Sequence, residues 1–158
     1  MDTRSLAVAV LLLTGGPVSI ARAQTPPARP GHRLPLEVLP DTLAICRLPS
    51  DAAIPPWASV SVPFLTISRT SEELSITTLQ SAVPPGVRCE RDYRALRVQG
   101  TLPPDLVGIL VSIAEPLARA GLSIFAISTY DTDYVLVRAR DFSAALEALR
   151  GAGHTVSP

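Results

Sequence analysis

Residues 121–137 read Gly-Leu-Ser-Ile-Phe-Ala-Ile-Ser-Thr-Tyr-Asp-Thr-Asp-Tyr-Val-Leu-Val. Two apolar runs, Leu122–Ser128 and Tyr134–Arg138, flank the polar stretch Thr129-Tyr130-Asp131-Thr132-Asp133. β-branched and aromatic residues on either side of a turn-forming cluster predict strand, turn, strand. Upstream, Leu106, Ile109, Leu110, Ile113 and Leu117 recur at helical spacing. Pro104 suits a first helical position there, and Gly121 suits the residue just past the end. Pro116 lies inside this helix, where it removes the donor to the Ser112 carbonyl at a cost of ~3 kcal/mol if unrelieved. A kink is therefore expected between Ser112 and Pro116. Further upstream, Tyr93–Val98 alternates, with Tyr93, Ala95 and Arg97 on one face and Leu96 and Val98 on the other. Downstream, Asp141 is placed to cap a second helix with Phe142, Ala145, Leu146 and Leu149 on its inner face and Gly151 at its end. His154–Val156 can add an edge strand. The order is β-α-β-β-α-β, the ferredoxin-like plan.

The first half echoes the second. Asp41–Leu48, between Pro40 and Pro49, reads as a strand, as do Val60–Ser68 and Glu73–Thr78 around a polar turn. Trp57, the only Trp, is expected to close one end of the core. Ser81–Val83 reads as one helical turn and Val87–Arg91 as a short strand. Phe64–Ile76 aligns with Ile124–Leu136 at a spacing of 60 positions, matching Ile67-Ser68 to Ile127-Ser128 and Glu73 to Asp133. This self-similarity predicts an internal duplication. About 13 residues separate the first two strands of the first half, against about 23 in the second, so the first helix must be cut to a turn. The predicted class is α+β: tandem ferredoxin-like βαββαβ units, the first with a truncated helix, forming an antiparallel sheet with helices on one face. The boundaries are 36–91 for the degenerate first unit and 92–158 for the second.

The 158 residues carry 14 Arg, no Lys and 14 acidic residues, for a net charge of zero. That balance excludes a nucleic-acid binder relying on a basic surface. At 47% hydrophobic and 4% aromatic, the core must be aliphatic. Residues 1–23 hold the apolar run Leu6–Leu13 and end in Ala21-Arg22-Ala23, the pattern of a signal peptide cleaved before Gln24. Gly15, Gly16 and Pro17 interrupt the run, so no stable membrane span is expected. Two localisations stay open: exported to the periplasm if residues 1–23 are a signal, or cytoplasmic if they extend a misplaced start. Residues 24–35, with four prolines, read as a Pro-rich linker. Cys46, in an apolar run, and Cys89 read first as buried free thiols. A disulfide is the alternative if the protein is exported.

Residues 121–137, with Asp105-Leu-Val-Gly-Ile-Leu before them, resemble the ACT domain in its CASTOR-like and aspartate-kinase-like branch. Leu43-Ala-Ile-Cys-Arg-Leu-Pro and Ile67-Ser-Arg-Thr-Ser-Glu-Glu-Leu-Ser-Ile resemble the first unit of small bacterial tandem ACT proteins of that branch. The resemblance covers roughly residues 36–156. It implies binding rather than chemistry. ACT units pair side by side and hold a free amino acid between them, its charged backbone groups meeting the loop between first strand and first helix. Carried over by motif, Asp105, Val107 and Gly108 line that loop, and Thr129, Tyr130 and Asp133 face it. A glycine at the helix opening lets a carboxylate approach N–H groups at the positive end of the helix dipole. The arginine sensors of the branch carry an extra acid one turn into this helix; here Val111 stands at that place, so the resemblance does not imply arginine as the ligand. The plainer readings stay open: Gly108 as a close-packing position, Asp131 and Asp133 as Asx turn residues, Tyr130 as an exposed turn residue.

No catalytic motif is present, so the chain is read as no enzyme, with no cofactor and no metal. His32 and His154 have no metal-spaced partner and read as surface or edge residues. Three functions remain: an amino-acid-binding regulatory module, a ligand-free structural protein that dimerises through ACT-type edges, and an exported solute-binding protein. A homodimer is expected because the truncated first unit leaves sheet edges less covered.

Overall fold

The computed structural model describes residues 31–58 and 63–158. The signal segment 1–23 lies outside the described residues, as do the start of the linker and part of the expected strand at Val60–Ser68. The elements are β1 (Pro35–Leu48), β2 (Leu65–Arg69), β3 (Leu74–Leu79), β4 (Cys89–Val98), α1 (Ile109–Arg119), β5 (Ile124–Ser128), β6 (Asp133–Arg138), α2 (Phe142–Gly151) and β7 (Thr155–Ser157). Single 3₁₀ turns occupy Pro56–Ala58, Gln80–Ala82 and Ala139–Asp141.

The strands form one sheet in the order β2-β3-β1-β4-β6-β5, with β7 beside the first residues of β1. The order reads the same from either edge when β1, β2 and β3 are exchanged for β4, β5 and β6. The hairpins share a register: Leu65 faces Thr78 and Arg69 faces Leu74, as Ile124 faces Val137 and Ser128 faces Asp133. The spacing between these pairs is 59 positions, not the 60 suggested by residue identity. A one-residue slip would turn every matched side chain to the other face.

Both helices lie on one face of the sheet. Ile109, Ile113 and Leu117 of α1 and Ala145 and Leu149 of α2 are buried against Leu36, Leu96, Val98, Val135 and Val137. The opposite face buries Leu43, Ala95 and Leu136 under Phe64, whose ring meets Tyr134 edge-on at 5.1 Å. The sheet curls around this second face until β2 and β5, its two ends, line one cleft of about 410 Å³. Trp57 closes one end of the core, packed on clusters containing Cys46 and Leu74.

Four expectations need correction. First, Leu34 and Pro35 are not linker: Leu34 is buried and β1 begins at Pro35, six residues before the expected start. Pro40 is accommodated at an irregularity in the β1–β4 ladder between Val38 and Thr42, where its missing N–H breaks no regular pairing. A second irregularity surrounds Asp92, the one described non-glycine residue at positive φ. Gln80 clamps it, donating from Nε2 to Asp92 Oδ1 at 3.0 Å and accepting the Asp92 N–H at 2.7 Å.

Second, the cysteines are not free. Cys46 of β1 faces Cys89 of β4, and a disulfide of 43-residue separation joins them. The apolar setting of Cys46 was legible; its partner depended on a non-local register.

Third, the helix ends differ. α1 starts at Ile109, because Gly108 takes φ +92° and breaks the helix that Pro104 would have opened. Asp141 makes no side-chain cap on α2, which is entered through the 3₁₀ turn before it. Gly121 ends α1 as expected, donating to Ala118 O at 3.0 Å while Leu122 donates to Leu117 O at 3.0 Å. α2 ends at Gly151 as expected, and Gly153 at positive φ closes its last turn: Gly153 donates to Arg150 O and His154 to Leu149 O.

Fourth, that closure turns His154 inward, to 4% exposure. Its Nδ1 accepts the Leu34 N–H at 3.2 Å, so Nε2 carries the proton and donates to Ser112 O at 3.0 Å. This is the carbonyl that Pro116 deprives of its helical donor. α1 runs through Pro116 as one helix. The cost of the proline is met by a histidine 42 residues away.

Candidate functional site

The β5–β6 turn is built by threonines. Thr129 N–H donates to Thr132 O at 2.9 Å and Thr129 Oγ1 donates to the same oxygen at 2.8 Å. Buried Thr132 sends its hydroxyl to Val98 O at 2.7 Å, tying the turn to the end of β4. Leu102 N–H completes the tie by donating to Asp131 O at 2.8 Å. The loop after β4 is thus fastened to the turn at two points.

Between loop and turn lies a cavity of about 170 Å³. Leu102, Pro103, Pro104, Leu106 and Ile109 form one wall, and Thr129–Asp133 form the other. Of the sequence-derived site residues, Thr129, Tyr130 and Asp133 line this cavity. Asp105, Val107 and Gly108 do not, although they belong to the loop that frames it. Asp105 is exposed. Val107 is 71% exposed, and its carbonyl accepts from His32 Nε2 at 2.9 Å. Gly108 is the N-cap of α1, with no side-chain cap bond. A Cβ there would meet only His32 Cδ2, at 4.0 Å, so its positive φ, not close packing, demands glycine.

The carboxylates differ. Asp133 accepts from Ser128 Oγ at 2.5 Å and is half-buried. Asp131 is exposed, and the turn owes its shape to Thr129 rather than to an Asx bond. Tyr130 stands 94% exposed at the tip. Sequence reasoning missed Thr132 and the apolar wall Leu102–Leu106. A signal for the turn was present: Thr70 and Thr129 open the two hairpin turns, and each side-chain oxygen accepts N–H groups of its own turn.

A larger recess, about 520 Å³, lies between α1, α2 and residues 31–32, beside the Glu115–Arg119 pair; none of the sequence-derived site residues lines it. Among the described residues, no group of three His, Cys, Asp or Glu is placed to hold a metal. No described helix is long and apolar enough to cross a membrane.

The family profile described as the ACT domain matches residues 88–151, and a second profile, described as an N-terminal domain, matches residues 41–86. No curated protein matches the chain. Among solved structures, the Agrobacterium tumefaciens protein Atu0741 is 36% identical at a TM-score of 0.76, over 80% of this chain and 94% of that one. The Vibrio cholerae protein VC0802 is 20% identical at a TM-score of 0.62, over 76% and 90%. The regulatory subunit of aspartate kinase from Thermus flavus is 15% identical at a TM-score of 0.53, over 77% and 99%. The last two likenesses are of fold: a curled, mainly antiparallel sheet with two helices. Residues 88–151 are thus an ACT domain, and the chain as a whole is a relative of Atu0741.

Proposed function

We propose that the protein is a non-catalytic regulatory module that binds a free amino acid at the cavity between the β4–α1 loop and the β5–β6 turn. The observation that carries this reading is the juxtaposition itself. A loop opening onto the N-terminus of α1 at a glycine of positive φ meets a turn bearing two carboxylates. N–H groups at a helix start favour a carboxylate, and an Asp favours an ammonium. Thr129, Tyr130 and Asp133 contact the ligand, while Asp105, Val107 and Gly108 shape its approach. The two halves are read as tandem ACT-like units of the CASTOR-like branch, residues 36–91 and 92–158, the first with its helix reduced to Pro56–Ala58. The common hairpin register supports that reading.

A thermal-shift screen of the twenty amino acids at millimolar concentration tests the function, since a ligand of the folded state raises Tm by mass action. A shift that disappears in Tyr130→Ala and Asp133→Asn supports the site. No shift with any amino acid on well-folded protein counts against it.

One observation favours the second reading, a ligand-free module acting through homodimer contacts. Val107 and Val111 are 71% and 64% exposed, beside exposed Leu106 and Leu110. Such a patch marks an interaction surface. Dimerisation lost in Val111→Glu with no amino-acid response would select this alternative. The Cys46–Cys89 disulfide supports export of the chain, because such bonds persist in oxidising compartments. A natural N-terminus at Gln24 is the result that export through residues 1–23 requires.

A further inference from the structure

Strands β1 and β4 correspond as the hairpins do. Leu43 faces Leu79 and Leu48 faces Leu74, while Tyr93 faces Arg138 and Arg97 faces Tyr134. The loop after β1 is therefore the counterpart of the loop after β4. Arg69, the last residue of β2, is the counterpart of Ser128, the last residue of β5.

The two loops are held to their hairpins by different chemistry. In the second half the fastening is Leu102 N–H to Asp131 O and the Thr132 hydroxyl to Val98 O, with the cavity left beside them. In the first half, arginines do it. Arg69 donates from Nη1 to Ser50 O and from Nη2 to Ala52 O, the latter at 2.7 Å. Arg47 donates from Nη2 to Glu72 O at 3.0 Å and pairs with Glu73 at 2.8 Å. The planar fork of a guanidinium suits two neighbouring carbonyls in a way that a point-charge ammonium does not.

We propose that Arg69 is a built-in ligand. Its guanidinium occupies, in the first half, the loop-to-hairpin place that the second half leaves open at Thr129–Asp133. Ser128, its counterpart, sends its hydroxyl to Asp133 instead. The inference rests on reading the halves as counterpart units. Its consequence is that the chain offers an external ligand one site rather than two, the other being permanently filled by its own side chain.

Arg69→Ser gives the first half the residue that the second half carries. Its Tm is expected to fall by roughly 3–8 °C. Methylguanidinium chloride at about 10 mM should return at least about half of that loss by binding the folded state. Methylammonium chloride at equal ionic strength should not, and wild-type Tm should respond to neither salt. Arg69→Lys should lose stability that methylguanidinium cannot restore, because the lysine still obstructs the place. If Arg69→Ser does not fold unaided, the refolded yield on dilution from urea with each salt makes the same comparison. An unchanged Tm in Arg69→Ser, or equal recovery with both cations, overturns the proposal. The rescue reads only the first half, whereas the amino-acid screen on wild type reads only the Thr129–Asp133 site. Rescue without amino-acid binding leaves Arg69 as an internal ligand and removes the sensor function; binding without rescue does the reverse.

Discussion

Replacing His154 by Phe keeps most of the ring volume but removes both of its hydrogen bonds. Two main-chain groups lose their partner, the Ser112 carbonyl and the Leu34 N–H. Each unsatisfied buried group costs ~1–3 kcal/mol, so a loss of about 2–6 kcal/mol is expected. The diagnostic quantity is the dependence of that loss on Pro116. With Pro116→Ala the helix regains an N–H four residues after Ser112, and its carbonyl is satisfied without His154. In that background only Leu34 N–H is orphaned, and the cost of His154→Phe should fall by about half, to about 1–3 kcal/mol. The coupling energy is then ~1–3 kcal/mol, well outside the ~0.3–0.5 kcal/mol expected of independent sites. Urea unfolding of the four proteins measures it, followed by far-UV circular dichroism and by Trp57 fluorescence, with equal slopes required across the set. Additive losses would refute the claim that His154 compensates Pro116.

Other substitutions test the fold and the site. Replacing Cys46 and Cys89 by Ala and Ser removes a cross-link of 43-residue separation, for which chain-entropy arguments give a loss of about 4 kcal/mol, read as a lower urea midpoint. No loss relative to the oxidised protein would refute that stabilising contribution. Thr132→Val should cost ~1–2 kcal/mol by freeing the buried Val98 carbonyl, and should increase hydrogen exchange in the β5–β6 turn. Gly108→Ala should cost about 1–2 kcal/mol through backbone strain alone, since the added Cβ has room; a neutral result would place Gly108 outside the left-handed region. Tyr130→Ala should leave stability within ~0.5 kcal/mol while weakening any amino-acid response.

What could be read from the sequence was what depends on short periods. β5, its turn and β6 follow from strand alternation around a polar cluster, and the burial of Val135 and Val137 against Leu36 shows which face the alternation serves. The inward stripe Ile109, Ile113 and Leu117 was legible for the same reason. Misreadings arose where a local signal met a non-local partner. Pro40 marked an end only until a second strand was available to absorb it in a ladder irregularity. Leu106 and Leu110 matched the helical spacing yet stand exposed: Leu106 lies before Gly108, where positive φ starts the helix later, and Leu110 falls outside the stripe Ile109, Ile113 and Leu117 that α1 buries. His154 resembled a terminal edge residue because nothing near it in sequence needs it. Its partner is a proline-orphaned carbonyl on another helix. At the site, the turn was legible but its apolar wall was not, since Leu102, Pro103 and Pro104 carry no periodicity and that of Leu106 pointed to a helix.

The contrast between the halves has a physical cause in the missing helix. After β4 the chain enters an 11-residue helix whose buried stripe anchors it to the sheet. The loop before it therefore needs only two hydrogen bonds to the turn and can afford an empty space beside them. After β1 the described residues hold only a three-residue 3₁₀ turn, too short to bury a comparable stripe. Loop order there must come from side chains that reach across, and Arg47 and Arg69 provide it. Arginine serves where serine or threonine would not, because its fork takes two nearby carbonyls of one turn, Ser50 O and Ala52 O, at once. Loss of the helix and gain of the arginines are on this view one change. A first half given a full-length helix should tolerate Arg69→Ser, and the present first half should not.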